Sequence, residues 1–324
     1  MRVLVTGRAG YIGSHMVLML SSQGHDVVVL DDLSSGHADA VLNGQLVVGG
    51  LEDTTLLDYL FSEQPFDGVM HFASFIQVGE SVHKPAKYYR NNFTNTLNLL
   101  DAMVKHGVKN FIFSSTAAIF EESDKPIQEA HPKQPMNPYG RSKWMVEQVL
   151  QDYGHAYGLK SVCLRYFNAA GADPEARVGE RHDPESHLIP LLLQVASGRR
   201  RSMQIFGRDY PTPDGTCIRD YIHILDLCEA HLLALAQLLD GGDSDAYNLG
   251  NGNGFSVQEV VDMVRKVTGH PVPVVDNLRR AGDATRLIAD STLARKKLGW
   301  VPAYADLHNI VSDAWRWEKT IARL

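Results

Sequence analysis

Val3-Leu4-Val5-Thr6-Gly7-Arg8-Ala9-Gly10-Tyr11-Ile12-Gly13-Ser14-His15 runs from a short apolar stretch, through three glycines spaced by three, into a helix-like segment. Gly7 permits a tight turn, Gly10 lets backbone approach a pyrophosphate, and Gly13 lets the helix pack closely on the strand. Glycine spacing alone is weak evidence. Here a second strand-like run, Asp26 to Leu30, is closed by Asp31, where a carboxylate takes the two hydroxyls of an adenosine ribose. The same charge repels a 2′-phosphate, so the pattern points to NAD over NADP. Arg8 reads either as a solvated side chain or as one more contact to the cofactor phosphates.

Working outward, short runs rich in β-branched residues alternate with longer amphipathic stretches. Arg2 to Val5, Asp26 to Leu30, Gly68 to Phe72, Phe111 to Ser114 and Ser161 to Leu164 read as strands. Ile12 to Ser22, Thr54 to Phe61, Tyr88 to Lys105 and Pro138 to Tyr157 have helical spacing. The alternation predicts an α/β fold, a Rossmann-type doubly wound parallel sheet. Past residue 167 it loosens into a Gly/Pro/Asp/Arg-rich stretch, Ala170 to Ser186. Helix-like Leu188 to Ser197, strand-like Gln204 to Phe206, helix-like Ile224 to Leu239, strand-like Ala246 to Leu249 and a capping box at Ser256 and Glu259 follow. We therefore expect an NAD-binding domain over residues 1–167, rejoined by later segments, and a smaller mixed α/β substrate lobe over 168–324. With no linker between them, the two are expected to share a cleft.

Composition narrows the partners. The 324 residues carry 31 Lys+Arg against 38 Asp+Glu, a net charge of −7, and no basic run is longer than the three residues Arg199 to Arg201. Nucleic acid and anionic membranes need a basic footprint, so neither is expected as a partner. Cys163, Cys217 and Cys228 form no C-x-x-C pair, which argues against a disulfide framework or a thiolate metal site and fits a reducing compartment. No apolar run is long enough to span a bilayer and Met1 leads straight into a strand, so a cytoplasmic protein without a metal is expected.

A second constellation carries chemistry. Thr116 ends the Phe111 strand and Tyr139 opens a helix 23 residues later, with Lys143 one turn on and therefore on the same face. A tyrosine with a pKa of about 10 is a poor base at neutral pH. An adjacent ammonium and a cationic nicotinamide ring would both favour phenolate, and lowering the pKa to about 7 takes roughly 4 kcal/mol. Thr116 would hydrogen-bond and orient the reacting hydroxyl.

These motifs resemble the extended short-chain dehydrogenase/reductases and, within them, the UDP-glucose 4-epimerases over essentially the whole chain. The match rests on Thr6 to His15, Val78 to Ser81 with Tyr88 to Asn92, Lys109 to Ser115, Pro138 to Lys143, Leu164 to Asn168, Ile205 to Thr212, Asp214 to Thr216, Arg219 to His223 and Arg279 to Asp283. The resemblance implies tightly held NAD and a UDP-hexose. Tyr139 takes the proton of the sugar 4-hydroxyl, and the 4-ketose turns over before reduction on its other face. It implies that Tyr11, Ile12, Phe72, Ala73, Asn91 and Phe167 line the cofactor site together with Tyr139 and Lys143. Arg219 and Arg280 hold the diphosphate, Asn168 the nucleotide-sugar, Asp283 a ribose hydroxyl, and Leu188 with Ile205 and Phe206 the uracil side. It also implies a homodimer through the helices of Tyr88 to Lys105 and Pro138 to Tyr157.

The chain departs from that family pattern in places. Thr116 replaces a common Ser, Gly50-Leu51 a Gly-Asp pair, Ile76 a Lys, Phe120-Glu121 a Tyr-Gly, and His187 an Asn. Leu287 stands where side-chain bulk gates sugar size, which leaves N-acetylhexosamines open as substrates, and nothing reads C6 directly, so UDP-glucuronate stays open too. A 4,6-dehydratase needs an acid and a base after the strand-end threonine, where this chain has Ala117 and Ala118. A non-catalytic NAD-sensing protein is the alternative of a different class, and retention of both Tyr139 and Lys143 argues against it.

Overall fold

Strands covered on both faces bury nearly every residue rather than alternate. β1 (Arg2–Thr6) and β2 (Asp26–Asp31) bury all but their first residue. The computed structural model describes every residue of the chain except Arg8, Val41, Ala281 and Gly282, and the backbone alone at Ala38. β3 (Gln45–Val48), β4 (Gly68–His71), β5 (Asn110–Thr116), β6 (Lys160–Tyr166) and the strand Asp245–Leu249 complete a seven-stranded sheet. Its order is Asp245–Leu249, β6, β5, β4, β1, β2, β3. The pairings from β3 through β2, β1 and β4 to β5 are parallel. This is the Rossmann-type arrangement expected. The chain leaves β1 toward one edge through β2 and β3, then returns to its other side with β4. Such a reversal leaves a crevice at the carboxyl ends of the strands, where ligands bind in open α/β sheets.

The chain forms two compact units, the first made of Met1–Glu121, His131–Arg165 and Cys228–Tyr247. Its helices include α1 (Tyr11–Ser22), α2 (Thr54–Glu63), α3 (Val78–His83), α4 (Pro85–Tyr88), α5 (Asn95–Lys105) and α6 (Pro138–Tyr157). Leu4, Leu30, Leu57, Val69, Leu99, Phe111, Phe113 and Val146 share one core of sheet and helix residues. A buried ion pair ties strand to helix. Arg165 of β6 donates through Nε and Nη2 to Glu147 of α6, which also accepts from Ser115 Oγ of β5. Stripping one partner from such a pair leaves a bare buried charge, so the three elements are held in fixed register.

The second unit comprises Glu122–Ala130, Tyr166–Leu227 and Asn248–Leu324. Its core joins Ile189 and Leu192 of α7 (Leu188–Ala196) to Val260 and Val264 of the helix Val257–Thr268, and to Ile310 and Trp315 of the helix Leu307–Ala322. The capping box expected at Ser256 and Glu259 is formed. Three small sheets complete it. Asn168–Ala170 pairs with Tyr221–His223, Met203–Phe206 with Val274–Asn277, and Ile218–Arg219 lies between Phe255–Ser256 and Arg286–Leu287.

One expectation needs correction. The segment Tyr88 to Lys105 is not a single α-helix, because α4 passes into a π-helical stretch, Tyr89–Thr94, before α5 begins. The cause is Asn92. Its buried side chain accepts from Phe75 N at 2.9 Å and donates to Phe75 O at 3.0 Å and Ser142 Oγ at 3.2 Å, holding the backbone in a widened turn. β3 was also missed, being a four-residue, half-exposed strand at the sheet edge.

Candidate active site

Everything expected of the cofactor turn sits at the carboxyl end of β1, β2 or β4. Gly7 follows β1 with φ +75°, and a Cβ on it would lie 2.4 Å from Ala73 N and 2.7 Å from the Phe72 carbonyl carbon. Glycine is required there twice over, by dihedral and by space. Gly10 caps α1 without a side chain, and no acidic residue occupies the first turn, so the amides of Tyr11, Ile12 and Gly13 face an anion-compatible end. Asp31 is pinned by two amides: Oδ2 accepts from Ala9 N and Oδ1 from Leu33 N, each at 2.8 Å. Burial pushes its carboxyl above the usual range. Arg8 lies outside the described residues, so neither reading of it is decided.

Beneath this turn runs a buried polar chain. Thr6 Oγ1 meets His71 Nδ1 at 2.7 Å, His71 Nε2 meets Thr96 Oγ1 at 2.9 Å, and Thr96 Oγ1 donates to Asn92 O at 2.9 Å. Burial and the Lys143 charge hold the His71 imidazole down at about 3, so it stays neutral. The Asn91 amide donates to Asn92 Oδ1 at 3.0 Å, which places it on the same network. Phe72 covers its far side, 4.9 Å from the His231 ring.

At the end of β5 the second constellation assembles. Asn137 caps α6 by accepting from Gly140 N, and Pro138 is preset for the first helical position. A Cβ on Gly140 would lie 2.3 Å from Ala118 O, so only glycine lets the helix start approach the chain just beyond Thr116. The Tyr139 phenol hydrogen-bonds Thr116, which pulls its pKa down, while the larger effect of burial raises it. Lys143 is 2% exposed, and its ammonium donates to Ser74 Oγ at 2.6 Å and Ser114 O at 2.8 Å, lying 4.9 Å from the Phe113 ring. Burial lowers it to about 7. The expected lowering of the Tyr139 pKa by Lys143 is not what the chain supplies. The lysine is turned onto Ser74 and Ser114, and desolvation of the phenol dominates. Ser74 and Asn92 were passed over in the sequence. Their signal lies only in partners 69 and 50 residues away, Lys143 and Ser142.

In the second unit, Asn168 lies against Asp220, whose carbonyl accepts from its backbone N at 3.1 Å and its Nδ2 at 2.9 Å. The Asp220 carboxylate accepts from Asn251, Gly252 and Ala289 amides, so one buried side chain organises three loops. Arg219 donates from Nη1 to Ile218 O and Ala284 O, and its Nη2 lies 3.7 Å from Asp283 Oδ1. The Arg280 guanidinium stacks 3.9 Å from the Phe206 ring centroid. Ile205 is buried, Leu188 opens α7, and Leu287 sits opposite Arg219 in the strand register. Phe167 follows β6 and is half-buried.

Comparisons with known proteins give the chain's relatives. A family model described as NAD dependent epimerase/dehydratase family matches residues 3–250. A UDP-glucose 4-epimerase of Halalkalibacterium halodurans is 53% identical over 320 residues, covering 98% of this chain and 96% of that protein. The crystal structure of UDP-glucose 4-epimerase from Brucella ovis in complex with NAD superposes with a TM-score of 0.95 at 48% identity, covering 98% of each chain. One from Stenotrophomonas maltophila, with bound NAD and formylated UDP-arabinopyranose, gives 0.96 at 40% identity over 100% of this chain and 99% of its own. The family model spans most of the chain and these relatives match it over nearly its whole length, so the chain belongs to the NAD dependent epimerase/dehydratase family.

Proposed function

We propose that this chain interconverts UDP-hexoses that differ at C4, UDP-glucose and UDP-galactose, through a 4-keto sugar with tightly held NAD. The observation that carries the reading is the union of Thr116, Tyr139 and Lys143 at the carboxyl end of β5, beside a turn that tolerates no side chain at Gly7. Gly7, Gly10, Tyr11, Ile12, Gly13 and Asp31 would hold the dinucleotide, with Phe72, Ala73, Asn91, Tyr139, Lys143 and Phe167 around it. Bound NAD supplies the acceptor for hydride from C4 and a fixed positive charge. Tyr139 receives the 4-hydroxyl proton and returns it after the ketose has turned. Thr116 hydrogen-bonds the reacting oxygen, Lys143 positions the loop of Ser74 and the end of β5, and the positive charge of bound NAD would favour the phenolate. Arg219 and Arg280 would take the diphosphate, Asn168 and Asp283 the nucleotide-sugar, and Leu188, Ile205 and Phe206 the uracil side. Leu287, next to Arg219 in register, would set the room for a C2 substituent.

Half-buried apolar residues Leu97 of α5 and Trp144 and Met145 of α6 support a homodimer through those two helices. No helix among the described residues is long and apolar enough to cross a membrane, and a cytoplasmic location is part of the same reading.

Purified protein given UDP-galactose is expected to form UDP-glucose and to raise absorbance near 340 nm by partial reduction of its NAD; absence of both overturns the reading. Asp31→Asn removes the charge that favours a free 2′-hydroxyl. NAD affinity should fall at least about tenfold, or 1.4 kcal/mol, and the preference over NADP should shrink. Fluorescence titration with each dinucleotide checks it.

A further inference from the structure

Between the strand Asn168–Ala170 and α7, four side chains turn their polar atoms toward one another: Glu180, His182, Glu185 and His187. His182 Nδ1 lies 3.0 Å from Glu180 Oε1 and 3.7 Å from Glu185 Oε2. His187 Nδ1 lies 2.6 Å from the same Glu180 Oε1 and 3.1 Å from Glu185 Oε1. One donor atom from each residue falls within 4.8 Å of the other three. Both carboxylates are only 5% exposed.

Two desolvated carboxylates side by side require compensating positive charge. In the metal-free chain the His182 and His187 rings lie against both carboxylates. Outside the quartet, Arg199 acts on Glu185 while ion-paired to Glu318 at 2.6 Å. The shape of the cluster goes beyond two separate ion pairs. Each ring lies against both carboxylates, so the four donor atoms form one compact group. Their spacings bracket the ~3.3 Å edge of a tetrahedron with zinc-ligand bonds of about 2.0–2.1 Å. Two imidazoles and two carboxylates form a four-coordinate donor set suited to zinc, whose charge offsets both glutamates at once.

The ligands are also braced from behind. Glu185 Oε1 accepts the amides of Ser186 and His187 at 2.7 and 2.9 Å. Glu180 O accepts from Trp317 Nε1 at 2.9 Å, and Gly179 packs so tightly on that indole that a Cβ would lie 2.2 Å from it. Such outer support orients metal ligands before the ion arrives.

We propose that Glu180, His182, Glu185 and His187 bind one zinc ion that fastens the loop before α7 to the start of that helix. With four protein ligands the site is closed and structural. His187 is the N-cap of α7 and Leu188 its first residue, so the ion steadies the segment assigned above to the uracil side. That consequence rests on the proposed function, whereas binding of the ion does not.

The test uses the whole chain without a tag, stripped with chelator and titrated calorimetrically with zinc chloride alone at pH 7.5. The expected result is one equivalent per chain and a Kd below about 1 µM. The melting temperature should rise to saturation at one equivalent. His182→Gln and Glu185→Gln should each weaken binding at least about 100-fold; melting each without metal shows whether the variant is folded, and either folded variant suffices. Zinc bound below half an equivalent, or wild-type affinity in a folded variant, overturns the proposal. Turnover of UDP-galactose in the same samples reports separately on the enzymatic reading.

Discussion

Tyr139→Phe is expected to lose about a thousandfold in turnover of UDP-galactose, the usual scale for removing a positioned acid-base group, while keeping its fold and its NAD. The phenol oxygen is the only atom removed. Thr116 keeps its remaining hydrogen bond, from Ala118 N at 3.1 Å, so the strand end should not move. The ring stays on the first turn of α6, held by the Asn137 cap and the close approach of Gly140 to Ala118. Burial already favours the uncharged phenol, so phenylalanine suits the folded state at least as well. Steady-state rates, NAD released on denaturation and a melting curve separate these outcomes. Unchanged turnover would refute the assignment of the proton acceptor, and lost NAD would give Tyr139 a larger part in cofactor binding.

Gly7→Ala should act through the fold. The added methyl meets backbone atoms of Phe72 and Ala73 at 2.4 to 2.7 Å, in a residue with φ +75°. The left-handed dihedral costs about 1–2 kcal/mol and overpacking about 1–3 kcal/mol. Together they predict a loss of about 2–5 kcal/mol in stability, with no tightly held NAD. Gly10→Ala is the informative partner. Its Cβ would meet only Gly7 O, at 3.3 Å. Stability should hold within about 1 kcal/mol, near the ordinary cost of a surface change, while NAD affinity should fall because the added methyl stands at the proposed phosphate site. Denaturant melts and NAD titrations on both variants check the contrast; equal stability losses would refute it.

The contrast marks what a sequence can carry. The β1 turn was legible because its constraints are local: three glycines, one strand and one helix start. Tyr139 and Lys143 were legible for the same reason, being one helical turn apart. Asn92 was not, since its partners Phe75 and Ser142 are 17 and 50 residues distant and the π-helical turn exists only once they meet. Nor was the upward push on the Tyr139 pKa, which comes from burial, a property of packing rather than spacing. β3 escaped because a half-exposed edge strand needs neither alternation nor an apolar run. The cluster around His187 had a visible trace, in that histidine standing at an Asn position, but its meaning depends on Glu180 and Glu185 folding back toward it.

The first unit is assembled from three separate stretches of chain, the last of them Cys228–Tyr247. That stretch carries Leu235, whose side chain packs against Gly68 of β4, and His231, which faces Phe72. A ribosome that has made only the first 200 residues has not yet made what covers the cofactor strands. The gene therefore cannot be divided into an exchangeable nucleotide module and an exchangeable sugar module. No single cut releases either unit whole, because the stretches that build the two alternate along the chain.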